Sequence, residues 1–186
     1  MNKIYTKAGD KGYTTNLLDK KYSKADIEIE LQGELDEINS YIGFLRSVID
    51  NSMVEDNEEA YNYVENTLKQ IQYDLYLIGI EVSTEFSEVH IAIEAVRSLE
   101  KEIDYLVGIT KPMECFIYYS GSTPSTLAHV ARAITRRAER TFVRTVTNKD
   151  YPLSYQYINR LSDYFFVLSR FLNQIEGIAD EPLTLK

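Results

Sequence analysis

Arg132, Arg136 and Arg140 recur at i, i+4 and i+8, a spacing that places three guanidinium groups in one row on an α-helix. Arg137 raises the count to four arginines within residues 131–140, in a chain whose formal net charge is −9. A guanidinium stays charged near neutral pH and presents paired N–H donors that grip phosphate oxygens two at a time. Taken alone, such a row is more often a solvated face or a set of ion pairs with surrounding carboxylates. Ile134 and Ala138, with the flanking Leu127, Val130 and Val143, give the same helix an apolar side.

A second candidate for anion chemistry lies at the N-terminal end. Thr6-Lys7-Ala8-Gly9-Asp10-Lys11-Gly12-Tyr13-Thr14-Thr15 combines two glycines, two lysines and three threonines. Glycines let backbone N–H groups approach a ligand, lysines add charge and hydroxyls donate hydrogen bonds. The Walker A spacing is absent. The same composition fits a flexible arm equally well.

The elements that must position these residues are helical. From Asp26, a candidate cap, Leu31, Leu35, Ile38, Ile42, Leu45 and Ile49 are spaced 4, 3, 4, 3, 4, a bundle-type seam. Asp36 and Glu37 flank that seam; Gly33 and Gly43 lie inside it, at positions that suit close packing or ligand approach. A second helix is predicted over Glu58–Val82 and a third over Val89–Leu106, both with apolar residues three and four apart. Met113–Tyr119 reads as a buried loop or a short strand-like piece. Thr123 as cap and Pro124 as first residue start the arginine helix, which is predicted to end near Asn148. Asp150 and Pro152 open a fifth helix and Gly177 closes it. Asn159 and Asp163 lie one turn apart on its polar strip, and Asn159, a poor helix-interior residue, either has a partner or faces solvent.

No strand alternation, repeat or linker interrupts the pattern. The predicted architecture is therefore all-α: one domain over residues 1–186, with a non-helical arm at 1–25 and a five-helix bundle at 26–177. The acidic balance argues against nucleic-acid and anionic-membrane partners. A single cysteine, Cys115, excludes an intrachain disulfide and fits a reducing cytoplasm. Neither a signal-peptide pattern nor a membrane-spanning run is expected. With two histidines and no Ser-His-Asp set in view, the residues favour positioning and charge stabilisation over proton transfer, with a nucleotide triphosphate as the natural ligand. The nucleophile is then expected from a substrate or cofactor.

Three blocks carry a family resemblance: Ile4–Gly12 with the later Lys24; Gly33-Glu34-Leu35-Asp36-Glu37-Ile38-Asn39-Ser40; and His129–Arg140 followed by Tyr157–Tyr164. Together and in order they resemble the PduO-type ATP:cob(I)alamin adenosyltransferases over nearly the whole chain. The resemblance implies a homotrimer of five-helix subunits with ATP bound between them, the arm wrapping the triphosphate and Mg²⁺ held mainly by phosphates and water. It implies ATP contacts at Thr6, Lys7, Ala8 and Gly9, at Thr14, Thr15 and Lys24, and at Arg136, Arg137, Ala138, Glu139, Arg140 and Asn159. It also implies an Asp36–Arg132 ion pair across the subunit contact, and Phe116 beside the corrin, helping to displace the lower axial ligand of cobalamin. The implied reaction moves the 5′-deoxyadenosyl group of ATP to cob(I)alamin. The alternative is a delivery or sensor module that binds ATP or adenosylcobalamin without turnover. A cobalamin reductase and an adenosylcobalamin-dependent enzyme are the implied protein partners. The chain departs from the family pattern at Asn16–Lys21, at Glu28 and at Tyr119–Ser122.

Overall fold

The computed structural model describes residues 4–52, 57–146 and 150–184. Among them are five α-helices: α1 (Ile27–Ser52), α2 (Glu58–Ser83), α3 (Ile93–Ile109), α4 (Thr123–Thr145) and α5 (Leu153–Ile175). The apolar seams do what their spacing predicts. The seam residues of α1 from Leu31 to Ile49, of α2 from Val64 to Ile78 and of α5 from Ile158 to Leu172 are buried in one continuous core. The helices neighbour one another in the order α2, α1, α4, α5, α3, so the arginine helix lies between α1 and α5, and its side chains reach both.

The buried stripe of α4 differs from the predicted one. Ala128, Ala131, Ile134, Ala138 and Phe142 face the core, whereas Val130 and Val143 are exposed. Alanines let α4 lie close to its neighbours, because interhelix distance follows side-chain size at the contact. Ser122 is the cap of α4, its Oγ accepting the Ser125 N–H at 3.3 Å, and Thr123 is the first helical residue. The helix ends at Thr145, and the predicted end at Asn148 lies outside the described residues.

Two further boundaries move for physical reasons. α3 starts at Ile93 because the buried carboxylate of Glu81 accepts the N–H groups of His90 and Ile91 at 2.6 and 2.7 Å, pulling that segment off helical geometry. Asp26 immediately precedes α1, its carbonyl accepting from Ile29 and Glu30. Its carboxylate, however, accepts the Ser23 N–H at 2.8 Å and so ties the helix back to the arm rather than capping it. Gly33 has open space where a Cβ would sit, and Gly43 only an ordinary contact with Gln72, so neither marks a tight helix crossing.

The arm contains strands that the sequence reading lacks. β1 (Tyr13–Thr15) and β2 (Lys21–Ser23) pair antiparallel, Thr14 opposite Tyr22. Three residues are too few for alternation to be visible. The turn is built by Asn16, whose side-chain oxygen accepts the N–H groups of Leu18 and Lys20 at 3.0 and 2.9 Å, the Asx arrangement. No helix among the described residues is long and apolar enough to cross a membrane.

Candidate active site

The arginine row opens onto a cavity of about 440 Å³ between α4, α5 and the loop that joins α3 to α4. Arg132, Arg136, Ser162 and Asp163 form its polar wall; Met113, Phe116, Ile117, Phe166 and Val167 form an apolar one. Helix phase explains the α4 part of the polar wall, Arg132 and Arg136 being one turn apart; on α5 the adjacent Ser162 and Asp163 line it, while Asn159, one turn before Asp163, does not. Arg136 is exposed and has no ion-pair partner among the described residues. A free guanidinium beside an apolar surface can bind an anion attached to a hydrophobic body.

Aromatic rings hold Arg132. Its guanidinium lies 5.2 Å from the Tyr119 ring and 5.5 Å from the Phe166 ring, a cation–π arrangement. His129 stacks on Tyr119 at 4.7 Å and lies 6.3 Å from Phe166. His129, Tyr119 and Phe166 were absent from the sequence-level candidates. Their spacing in the chain carries no helical phase in common, so only the paired Tyr118-Tyr119 hinted at a stack. Burial, and then the charge of Arg132, push the His129 pKa from 6.5 to about 4, with Asp180 opposing. A histidine whose folded pKa is depressed contributes full stability above its unfolded value and loses it as pH falls through the folded one. Between pH 6.5 and 4 the protein is expected to lose up to about 3 kcal/mol of unfolding free energy through this residue. Urea titrations of wild type and His129→Gln across that range check this, the variant showing the shallower acid slope.

Phe116 sits on the cavity lip, 76% exposed. Met113–Tyr119 is thus not a buried loop. It is strand-like in part: Ile117 bridges Pro182 antiparallel, the Tyr118 N–H donates to the Glu181 carbonyl and the Leu183 N–H to the Phe116 carbonyl.

The remainder of the 136–140 stretch divides by face. Arg140 donates to the Arg136 carbonyl at 2.7 Å and points outward. Glu139 is half-buried and Ala138 is fully buried, so Ala138 could reach a ligand only through its backbone. Arg137 turns to α1 instead, bonding Glu34 at 3.1 Å and also Glu37. Glu34 is buried, with Oε2 unpartnered, so Arg137 neutralises a carboxylate in its own chain. Arg137→Ala is expected to cost about 1–3 kcal/mol by stranding that charge, lowering Tm by several degrees while the ATP KM stays near wild type. Calorimetry beside steady-state kinetics separates the two. Asn159 is half-buried, and its side chain makes no hydrogen bond to the described residues.

The other candidates lie outside that cavity. Asp36 is exposed in a cavity of about 300 Å³ with Gln32, Asn39, Tyr76 and Leu17. It does not share a cavity with Arg132. Thr14 and Thr15 line an adjoining space of about 250 Å³ with Glu28 and Tyr22. In the arm, Thr6 Oγ1 accepts the Ala8 N–H at 3.3 Å and Lys7 takes a left-handed conformation, φ 63°. Lys24 Nζ packs so closely on Gly9 that a Cβ there would lie 2.8 Å from it. The fold therefore gathers Thr6, Lys7, Ala8, Gly9 and Lys24 into one cationic loop. The hairpin is anchored on Glu85 by Lys20 at 2.9 Å and Tyr22 at 2.7 Å, and these bonds, Lys20's first, hold the Glu85 carboxyl below its ordinary range. The departure at Asn16–Lys21 is thus the turn and anchor of the hairpin.

The chain is similar to known proteins over nearly its whole length. The sequence profile of the family described as Cobalamin adenosyltransferase matches residues 4–172. The corrinoid adenosyltransferase of Bacillus subtilis is 34% identical over 181 residues, covering 96% of this chain and 90% of that protein. That of Homo sapiens is 33% identical over 184 residues, covering 94% and 70%. A variant PduO-type ATP:corrinoid adenosyltransferase from Lactobacillus reuteri, solved in complex with cobalamin and ATP, superposes with a TM-score of 0.86 at 32% identity, covering 97% of this chain and 99% of that one. An arginine helix, a glycine-lysine arm and an apolar-lipped cavity on one five-helix scaffold, together with these matches, establish that the chain belongs to the cobalamin adenosyltransferase family.

Proposed function

We propose that this protein transfers the 5′-deoxyadenosyl group of ATP to the cobalt of a reduced corrinoid, releasing triphosphate. The observation that carries the reading is the cavity in which the unpaired Arg136 faces the apolar wall of Met113, Phe116 and Ile117. The cationic side suits a polyphosphate and the apolar side suits a broad macrocycle. The reduced substrate is itself the nucleophile: its cobalt(I) electron pair forms the bond to C5′, the C5′–O bond breaks, and the triphosphate leaves with the electron pair of the broken bond. The chain's part is to hold C5′ in line and to stabilise leaving-group charge with Arg136 and Lys7. Phe116 presses on the lower face of the corrin and keeps water from the metal.

Mg²⁺ fits as an ion carried on the phosphates. The arm offers the hydroxyls of Thr6, Thr14 and Thr15, and no group of three or more His, Cys, Asp or Glu among the described residues could hold a metal. It would supply neutralisation of the triphosphate charge.

We further infer a homotrimer. Asp36 and Arg132 lie in separate cavities of one chain, so an ion pair between them needs a second copy. The arm cavity and the arginine cavity then become two halves of one site. The lone cysteine and the formal net charge of −9 support a cytoplasmic reading. Mixing the protein with ATP, Mg²⁺ and chemically reduced cobalamin should shift the corrin absorbance and release one triphosphate per adenosyl group. A folded protein that binds both ligands tightly and yields no triphosphate would instead be a delivery module.

A further inference from the structure

The loop that carries Phe116 is rooted at both ends on the last turns of α5. At its start, Gln174 Nε2 donates to the Ile109 carbonyl and its Oε1 accepts the Lys111 N–H, each at 2.8 Å, while Arg170 donates to the Lys111 carbonyl at 2.6 Å. At its end stands a single side chain. Asn173, 3% exposed, accepts the Ser122 N–H on Oδ1 at 3.0 Å and donates from Nδ2 to the Ser120 carbonyl at 3.1 Å. The carboxamide thus pairs with the chain as another peptide would in a sheet. Its orientation is dictated, because one partner only donates and the other only accepts. Gly121, between those partners, lies flat against the amide with φ 123°, and a Cβ there would fall 2.1 Å from Asn173 Oδ1. Only glycine allows that approach at that conformation.

This contact has a direct line to the cavity. Ser120 follows Tyr119, whose ring stacks on His129 and faces the Arg132 guanidinium. Ser122 caps α4, the helix bearing Arg132 and Arg136. We propose that Asn173 is a positioning residue for the corrinoid side of the cavity: by pairing with Ser120 and Ser122 it fixes Tyr119 against His129 and Arg132 and sets the wall that ends in Phe116. It touches no ligand. The proposal rests on the corrinoid reading of this cavity, but its structural half can be tested without that reading.

The test uses the full-length protein with Asn173→Ala and Asn173→Asp, the second keeping the acceptor and losing the donor. Glu176→Gln, which weakens the Tyr61–Glu176 bond at the same end of α5 without touching the loop, serves as the control for simple loosening. Two readouts are taken. The first is the KM for cob(I)alamin against the KM for ATP. The second is the ring-proton resonance of His129, which ring currents from Tyr119 displace and which shares the histidine spectrum only with His90. The expected result is a corrinoid KM raised about tenfold or more in both Asn173 variants, the cost of a misplaced wall, with an ATP KM within about twofold of wild type. The His129 resonance moves in both and stays in place in Glu176→Gln. If the alanine variant does not fold, the aspartate variant carries the same two readouts. An unmoved His129 signal overturns the proposal, as does an equal rise of both KM values. If wild type shows no turnover, the proposed function fails while the His129 readout still decides whether Asn173 sets the stack.

Discussion

Arg136→Ala is expected to lower kcat by about 10² to 10³-fold, with ATP still bound. Arg136 opens on the cavity with neither an ion pair nor an aromatic ring over it among the described residues. Arg137 is committed to Glu34 and Glu37, and Arg132 is held by two aromatic rings. A preorganised donor at a departing anion contributes most when its charge develops, so its removal acts on kcat more than on binding. Loss of one such donor typically costs about 3 kcal/mol of barrier. Arg136→Lys keeps the charge but loses the fork, and should recover only part of the rate. Steady-state rates with reduced cobalamin, alongside ATP binding by calorimetry, check this. A variant whose ATP affinity collapses while kcat holds would mean that Arg136 binds substrate and transition state alike.

The second large effect concerns Asp36 and Arg132. Asp36→Ala and Arg132→Ala are each expected to reduce activity about 10²-fold or more, the usual loss when one partner of an interfacial charge pair is truncated. Mixing the two variants distinguishes where the pair forms. If it joins neighbouring copies, co-refolding equal amounts restores intact pairs at about one quarter of the contacts by random assortment in a closed ring. Activity then rises to roughly that fraction of wild type. If the pair forms within one chain, no mixture contains an intact site and activity stays at the level of the single variants. The placement of the two residues in separate cavities of one chain is the reason to expect recovery.

The helices were legible because apolar periodicity is local and strong. The seams of α1, α2 and α5 are buried where their spacing puts them. What was not legible depended on single polar groups. Glu81 delays α3 by holding two backbone amides, and nothing in its own neighbourhood announces that. The arm hairpin is three residues per strand and relies on Asn16 and Glu85, far apart in sequence. Met113–Tyr119 is apolar enough to suggest burial, yet Met113, Phe116, Ile117 and Tyr119 face a cavity rather than the core. An apolar run signals only that water is unfavourable, and a ligand can satisfy it as well as a protein interior can.

The site divides in the same way. Sequence alone placed Arg132, Arg136 and Arg140 on one helix face, set Asn159 beside Asp163, and identified the glycine-lysine arm, because helical phase and loop chemistry are properties of a few consecutive residues. Tertiary structure alone decided which of these cations is free. Arg137 and Arg136 are adjacent in the chain and identical in chemistry, yet one is neutralised by Glu34, 103 residues away, and the other faces the cavity. Tertiary structure also separated Asp36 from Arg132, and set Lys24 over Gly9. A row of charges becomes a site only when packing determines which of them meet carboxylates and which are left for a ligand, and that packing comes from contacts between residues that no local period relates.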